Sequence, residues 1–333
     1  RKAIGKTMKI LHLFSSKVFA GLERHLEELT FEQSKNHEVV VLGPKNLKEN
    51  FRCEYKALNT NQWRHSPILF NQIKAMINSV GPDVLHTHAS KMTSLINKLS
   101  TTVPHISTIH GTKKDISSFL KSDFIFGASK KSLEKISLPN AMVLENWVDE
   151  NRFKNYSKAN SDYFLYLGRF EQVKNPSRLI KAWKDIDQRL IMVGEGTLKV
   201  QMQNLIEDLN ISDQISLKPE TNNISELFSK AKALIISSDR EGSPKVLFES
   251  LFCGVPVLST NCGIMSDILP TNCLAEVNDE SFKNLLSRWV NNILELRKIQ
   301  EPCFKKVKDE NLLSIQAEKV NKIYQDLLSK ASK

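Results

Sequence analysis

The chain has 333 residues, 41% hydrophobic and 25% charged, which suits a soluble globular protein with room for two domains of ordinary size. Its net charge of +10 favours anionic partners, whether nucleotide phosphates, anionic lipid or nucleic acid, without choosing among them. The apolar runs fall far short of a membrane span and the first turns polar by Ser15, while five scattered cysteines lack Cys-x-x-Cys spacing. Neither a spanning helix, a signal peptide, a disulfide framework nor a structural zinc is therefore expected, and a reducing cytoplasmic compartment fits best.

Residues 1–7 precede the first apolar run and are set aside as an extension. Residues 8–14 predict a strand, followed by a loop to Ala20-Gly21 and a helix carrying Leu22, Leu26 and Leu29 on one face. Gly21 at this strand-to-helix turn either admits a ligand to the backbone or serves the turn alone. Short apolar runs near 39–42, 84–86, 106–109, 124–126 and 142–144 alternate with helical patterns. That alternation predicts a parallel sheet with right-handed crossovers. His86, His88 and His110 end strands at one edge, and His110-Gly111 puts a polar ring on a flexible turn. Histidines at strand ends are often structural, and these three are not spaced as metal ligands on a helix, so no metal is expected.

The polar stretch 144–161 reads as a linker. A second series of apolar runs follows near 164–167, 190–193, 215–217, 233–236 and 255–258, giving two similar α/β halves without a residue-level repeat. From about residue 280 the pattern is helical, and Leu312, Ile315, Val320, Ile323 and Leu327 mark an amphipathic closing helix. The expected segments are 1–150, 151–310 and 311–333.

The second half carries the chemistry. After the strand at 164–167 comes Gly168-Arg-Phe-Glu-Gln-Val-Lys174, then Asn175-Pro176 as N-cap and first helical residue. Arg169 and Lys174 thus stand on one loop at a strand's carboxyl edge, where two cations would neutralise a diphosphate without a metal. Gly194-Glu-Gly196 follows the next strand and would permit close backbone approach. In Glu241-Gly-Ser-Pro-Lys-Val-Leu-Phe-Glu249, Ser243 is the expected N-cap and Pro244 the first helical residue, so the helix start attracts phosphate. Glu241 and Glu249 flank that start, either as solvated surface charges or, for Glu249, placed to accept hydrogen bonds from sugar hydroxyls beside a phosphate held there. Asp185-Ile186-Asp187 has the form of a metal-binding carboxylate pair but falls at the opposite edge and reads as solvated surface.

These motifs, in this order, resemble the family 4 retaining glycosyltransferases of GT-B fold. Gly168-Arg169 with Lys174, Gly194-Glu-Gly196 and Glu241 to Glu249, continuing to Cys253-Gly254-Val-Pro256, resemble the family's donor half. Ala20-Gly21-Leu-Glu-Arg-His25, Pro82-Asp-Val-Leu-His-Thr-His88, Thr108-Ile-His110-Gly111 and Asn146-Trp-Val-Asp149 resemble its first half and linker. The resemblance implies two Rossmann-like domains facing each other across a deep cleft. Residues 1–150 would bind the acceptor, 151–310 would bind the nucleotide sugar, and the helix in 311–333 would return to the first domain. It further implies that Arg169 and Lys174 hold the diphosphate with the backbone N–H groups of Lys245 and Val246. Gly168, Gly194, Gly242 and Ser243 would line the donor site, and Gly21 the phosphate side. Glu249 would take the ribose, while Glu241 and His110 would attend the moving sugar. No cofactor or metal is implied. Ala20 stands where the family often has glycine, Gly263-Ile264 replaces a usual glycine pair, and Asp267 replaces a glutamate.

The acceptor is expected to be a glycan or a lipid-linked sugar of lipopolysaccharide, capsule or glycolipid synthesis. The apolar and basic stretch 64–77, with Lys113, Lys114, Lys121, Lys130 and Lys131, suggests a peripheral seat on an anionic membrane. An amphipathic core helix with solvated lysines is the plainer alternative. Two other functions fit the same fold: a non-catalytic polyanion-binding protein, and a sugar-nucleotide epimerase. No aromatic-rich basic stripe points to nucleic acid.

Overall fold

The computed structural model describes residues 7–331 apart from 112, 138 and 155, so most of the segment ahead of Met8 lies outside the described residues. The chain divides into two compact units, Arg1–Asn146 with Leu313–Lys333, and Trp147–Leu312.

The first unit holds β1 (Lys9–Leu13), β2 (Glu38–Gly43), β3 (Glu54–Ala57), β4 (Val84–His88), β5 (His105–Ile109), β6 (Phe124–Gly127) and β7 (Ala141–Val143). They form one parallel sheet in the order β3-β2-β1-β4-β5-β6-β7. Strands such as β4 and β5 are buried along their whole length, the pattern of a sheet covered on both faces. On one face Leu11, Leu13, Val40 and Leu42 pack with Leu69, Ile73, Ile77 and Val80 of the helix Pro67–Val80. The apolar stripe of that helix is therefore spent on the core; Ile68 in its first turn and Trp63 in the turn before it stay outside, 65% and 71% exposed. The closing helix Leu313–Ala331 lies against the helix Gly21–Ser34.

The second unit holds β8 (Tyr163–Leu167), β9 (Leu190–Val193), β10 (Ile215–Lys218), β11 (Ala231–Ile236), β12 (Val257–Thr260) and β13 (Leu274–Ala275), again all parallel, in the order β10-β9-β8-β11-β12-β13. Period-two alternation divides its core cleanly. Phe164, Tyr166, Leu190, Met192, Ala233 and Ile235 face one layer with Trp183 and Phe282, while Tyr163, Leu165, Ile191, Val193, Leu234 and Ile236 face the other with Phe228 and Phe248. Val148 forms a parallel bridge to Leu312, its N–H donating to Asn311 C=O at 2.9 Å, so the outgoing and returning chain run side by side within this unit.

In both sheets the order reverses beside the first strand of the series. The loops after β1 and β4 diverge there in the first unit, and those after β8 and β11 in the second, leaving a crevice at the carboxyl ends. Two strands escape the periodicity reading. β3 is an edge strand with a half-exposed, polar pattern, and β13 is only two residues long.

Gly194, just after β9, sits so close to the end of β8 that an added Cβ would fall 2.0 Å from the Gly168 carbonyl oxygen. Gly194→Ala is expected to cost about 1–3 kcal/mol by overpacking. Gly21→Ala, whose Cβ would meet no atom within 4 Å, serves as the control. Thermal unfolding of the full chain should show a lowered midpoint for the first variant and none for the second; equal midpoints would contradict this packing.

Candidate active site

The two loops at the β8/β11 switch point carry the second unit's candidate residues. Asn175 caps the helix Pro176–Trp183 through its side chain, which accepts from Arg178 N–H at 3.2 Å, and this turn brings Lys174 back toward the β11 loop. There Lys174 Nζ lies 2.6 and 2.7 Å from the two carboxylate oxygens of Glu241, and Ser238 Oγ donates to Glu241 at 2.6 Å. Glu241 is shielded, with 8% of its side chain exposed, and a cation and a hydroxyl satisfy its carboxylate oxygens there. Arg178 braces the same loop: it bonds Asp239 at 2.8 Å, Asp279 at 2.9 Å and the Ser237 carbonyl at 3.0 Å. Arg169 and Gly168 precede this turn, with Arg169 exposed.

The helix at the β11 loop begins one residue later than the sequence suggests. Pro244 is the N-cap, with ψ 132°, and Lys245 is the first helical residue of Lys245–Phe252. Proline's fixed φ serves the extended entry to the helix here, and Leu247 N–H donates to the Pro244 carbonyl at 3.2 Å. Gly242, Ser243, Lys245 and Val246 thus line the first turn, whose backbone N–H groups point out of the helix start. Lys245 Nζ donates to the Trp147 carbonyl at 3.1 Å. Glu249 is buried on the same helix and is bonded by Arg152 Nη1 at 2.7 Å. Gly263 holds the loop from below. Its φ is +63°, and a Cβ would stand 2.5 Å from the Gly242 carbonyl.

Gly194 and Gly196 are close to backbone, but to that of Gly168 and Phe170, which accounts for both glycines by loop packing. Asp185 is exposed and paired with Lys283 at 2.6 Å, as a surface carboxylate would be. Gly21 opens the helix Gly21–Ser34 with open space where a Cβ would be.

In the first unit, the register sets His12 of β1 beside His86 of β4, and His88 lies two residues on, so all three share one face. His12, His86 and His88 bring a ring nitrogen each within 4.8 Å of one another. Reasoning from helical spacing does not foresee this cluster, because neighbouring strands assemble it. Each of the six ring nitrogens has a protein partner. His12 meets His88 at 3.1 Å and Gln33 at 2.8 Å. His86 meets Tyr324 at 2.5 Å and Thr108 at 2.7 Å, and His88 meets His110 at 3.0 Å. Hydrogen bonding alone thus accounts for the cluster. His25 stands edge-on to His110, with ring centroids 5.0 Å apart.

The sequence reading omits Arg152, Ser238, Arg178, His12 and Gln33. Arg152 lies 97 residues from Glu249, and no local signal links them. Ser238 and Arg178 flank motifs already chosen, and a search for partners of Glu241 along its own loop would find Ser238.

Two parallel α/β units of Rossmann type are the architecture of the GT-B fold. Residues 148–302 match the family model of glycosyl transferases group 1, and residues 19–144 that of glycosyltransferase family 4. The chain belongs to the family 4 glycosyltransferases. It is 27% identical over 312 residues to an uncharacterized glycosyltransferase of Methanocaldococcus jannaschii, covering 84% of this chain and 86% of that protein. It is 24% identical to a Campylobacter jejuni α-1,4-N-acetyl-D-galactosaminyltransferase named for a PP-undecaprenol-linked glycan, covering 76% and 79% of the two chains. Among solved structures, Anabaena HepE in complex with UDP superposes with a TM-score of 0.81 at 14% identity, over 96% of this chain and all of that one (100%).

Burial pulls His12 and His105 down to about 4, and burial with the nearby Lys113 charge pulls His110 to about 3, all from an ordinary 6.5. The fold therefore binds fewer protons than the unfolded chain in this range. Above about pH 6.5 these rings are neutral in both states and stability is full; it is lost as pH falls from there toward about 4. The thermal midpoint should follow that course, with a shallower decline in His105→Gln. A midpoint flat across the window would refute it.

Proposed function

We propose that this chain is a retaining, metal-independent glycosyltransferase that moves a sugar from a nucleotide-diphosphate sugar to a glycan or lipid-linked acceptor. The observation that carries this reading is the convergence at the β8/β11 switch point. Arg169, the Lys174–Glu241 pair, the helix start at Lys245 and the buried Glu249 all belong to the two connections that leave β8 and β11. Arg169 and Lys174 hold the diphosphate with the N–H groups of Lys245 and Val246. Departure of the nucleoside diphosphate develops negative charge on its oxygens, and fixed cations with a helix start stabilise that charge. Because those cations lie in the chain itself, a chelator should leave turnover intact.

Glu249 takes the ribose hydroxyls, held in place by Arg152, and Glu241 attends the donor sugar; in the first unit, taken by itself, His110 is the residue offered to a sugar hydroxyl. The charged Glu241, oriented by Lys174 and Ser238, accepts hydroxyl hydrogen bonds near the reacting carbon. Attack from the face that the diphosphate leaves gives retention without an enzyme nucleophile.

The name of the Campylobacter jejuni relative supports a lipid-linked glycan as acceptor, and with it a place in lipopolysaccharide, capsule or glycolipid synthesis. Exposed Trp63 and Ile68 with the exposed Lys113, Lys114, Lys121, Lys130 and Lys131 are the surface for a peripheral seat on the cytoplasmic face of an anionic membrane. No helix among the described residues is long and apolar enough to cross a membrane.

Purified protein incubated with a panel of nucleotide sugars should release nucleoside diphosphate, with UDP-sugars the first choice because the Anabaena neighbour was solved with UDP. Arg169→Ala and Glu241→Ala should each lower release about a hundredfold or more. Release that is undiminished in both variants defeats the site assignment, and binding without turnover turns the reading toward a non-catalytic protein. Product from a labelled donor should keep the donor's anomeric configuration. Flotation with anionic liposomes at low salt should carry the protein upward, less so in Trp63→Ser/Ile68→Ser; failure to float removes the membrane seat.

A further inference from the structure

The buried histidines of the first unit form a directed chain. Gln33 Nε2 donates to Asn321 Oδ1 on the closing helix at 2.7 Å, which turns Gln33 Oε1 toward His12 Nε2 at 2.8 Å. An amide oxygen only accepts, so His12 must carry its proton on Nε2. A neutral imidazole has one proton, so His12 Nδ1 is then an acceptor, and at 3.1 Å it must receive from His88 Nε2. By the same step His88 Nδ1 is an acceptor, and at 3.0 Å it receives from His110 Nε2. This direction holds for neutral rings, and burial lowers all three basicities, His12 to about 4, His110 to about 3 and His88 well below its ordinary value. His12, Gln33 and His88 are almost wholly buried, so water does not compete for these bonds.

We propose that Gln33, acting through His12 and His88, fixes His110 as the Nε2–H tautomer and leaves Nδ1 as a hydrogen-bond acceptor for a ligand hydroxyl. Gln33, His12 and His88 are then positioning residues for His110. Nδ1 of His110 has no protein partner among the described residues, which leaves it for the ligand. The polarity has a definite alternative. If the Gln33 amide were turned over, its NH2 would donate to His12, every proton along the chain would move to the other nitrogen, and His110 would present an Nδ1–H donor instead. With Asn321 presenting Oδ1 to Gln33 the first direction holds, and the second needs both amides turned over together. A sugar hydroxyl therefore meets a ring that accepts, and must itself donate.

That last step rests on His110 meeting a sugar hydroxyl. The tautomers do not, and they can be read without substrate. Long-range proton–nitrogen NMR on the full chain with labelled histidine should place the proton of His12, His88 and His110 on Nε2 in all three rings. Couplings across the N–H···N bonds should join His12 to His88 and His88 to His110. An Nδ1–H form of any of the three as the main species overturns the proposal. Gln33→Leu keeps bulk but removes the acceptor, so both directions become open and the Nδ1–H form of His110 should become populated. If the folded variant keeps wild-type tautomers, the ring's own preference sets the proton and the relay is refuted. Where Gln33→Leu fails to fold, the wild-type pattern decides alone. A correct tautomer pattern together with no release from any nucleotide sugar would sink the transferase reading and leave the relay standing.

Discussion

A parallel sheet whose strand order turns back at its first strand forces two neighbouring loops to leave in opposite directions, and that constraint places the candidate residues of this chain. It acts once in each unit. In the second unit the diverging loops follow β8 and β11 and hold the charged candidates. In the first unit they follow β1 and β4, with Gly21 on one side and His88 on the other. Right-handed crossovers and helices on both faces bury the strands end to end, so the carboxyl edge is where polar chemistry finds room.

The loops at that edge are not left to their own turn propensities. Lys174 with Glu241, Arg178 with Asp239 and Asp279, and Arg152 with Glu249 each tie a loop to a neighbouring element. For the two glutamates the pairing is close to obligatory, since shielded carboxylates without partners would give up their charge or unfold the loop. The same contacts that satisfy these glutamates fix their direction, so both carboxylates are held oriented without a conformational step to assemble them.

Most of the fold was legible because both units are written in short apolar runs with turn residues between them, and runs buried on two faces need no finer pattern. β3 was not, since its Glu54 and Lys56 belong to a half-exposed edge, and β13 is too short to have a period. In the site, Asn175-Pro176 was readable as a cap because capping is local. Ser243-Pro244 was misread by one position for the same reason, as two good starts stood side by side and only the Pro244 backbone settles between them. Arg152 and Glu249, or His12 and Gln33, meet across long stretches of chain, and no spacing rule encodes a contact that sheet register creates. Gly194-Glu-Gly196 shows the reverse case. Its glycines suggest a ligand, and the close approach they permit is to the Gly168–Phe170 backbone.

The two switch points solve the problem of placing polar groups at a buried edge by opposite means. The second unit keeps ions and pairs Lys174, Arg178 and Arg152 with carboxylates. The first unit keeps neutral rings and satisfies each with another ring, an amide or a hydroxyl, so that its polarity is directional and carries no charge. A neutral chain costs less to bury than an ion pair, but it is stable only while every member is partnered. That makes the closing helix more than a cover for the sheet. By supplying Asn321 and Tyr324 it completes the last partners of a network that starts on β1 and β4, and so the end of the chain sets the hydrogen-bonding sense of residues near its beginning.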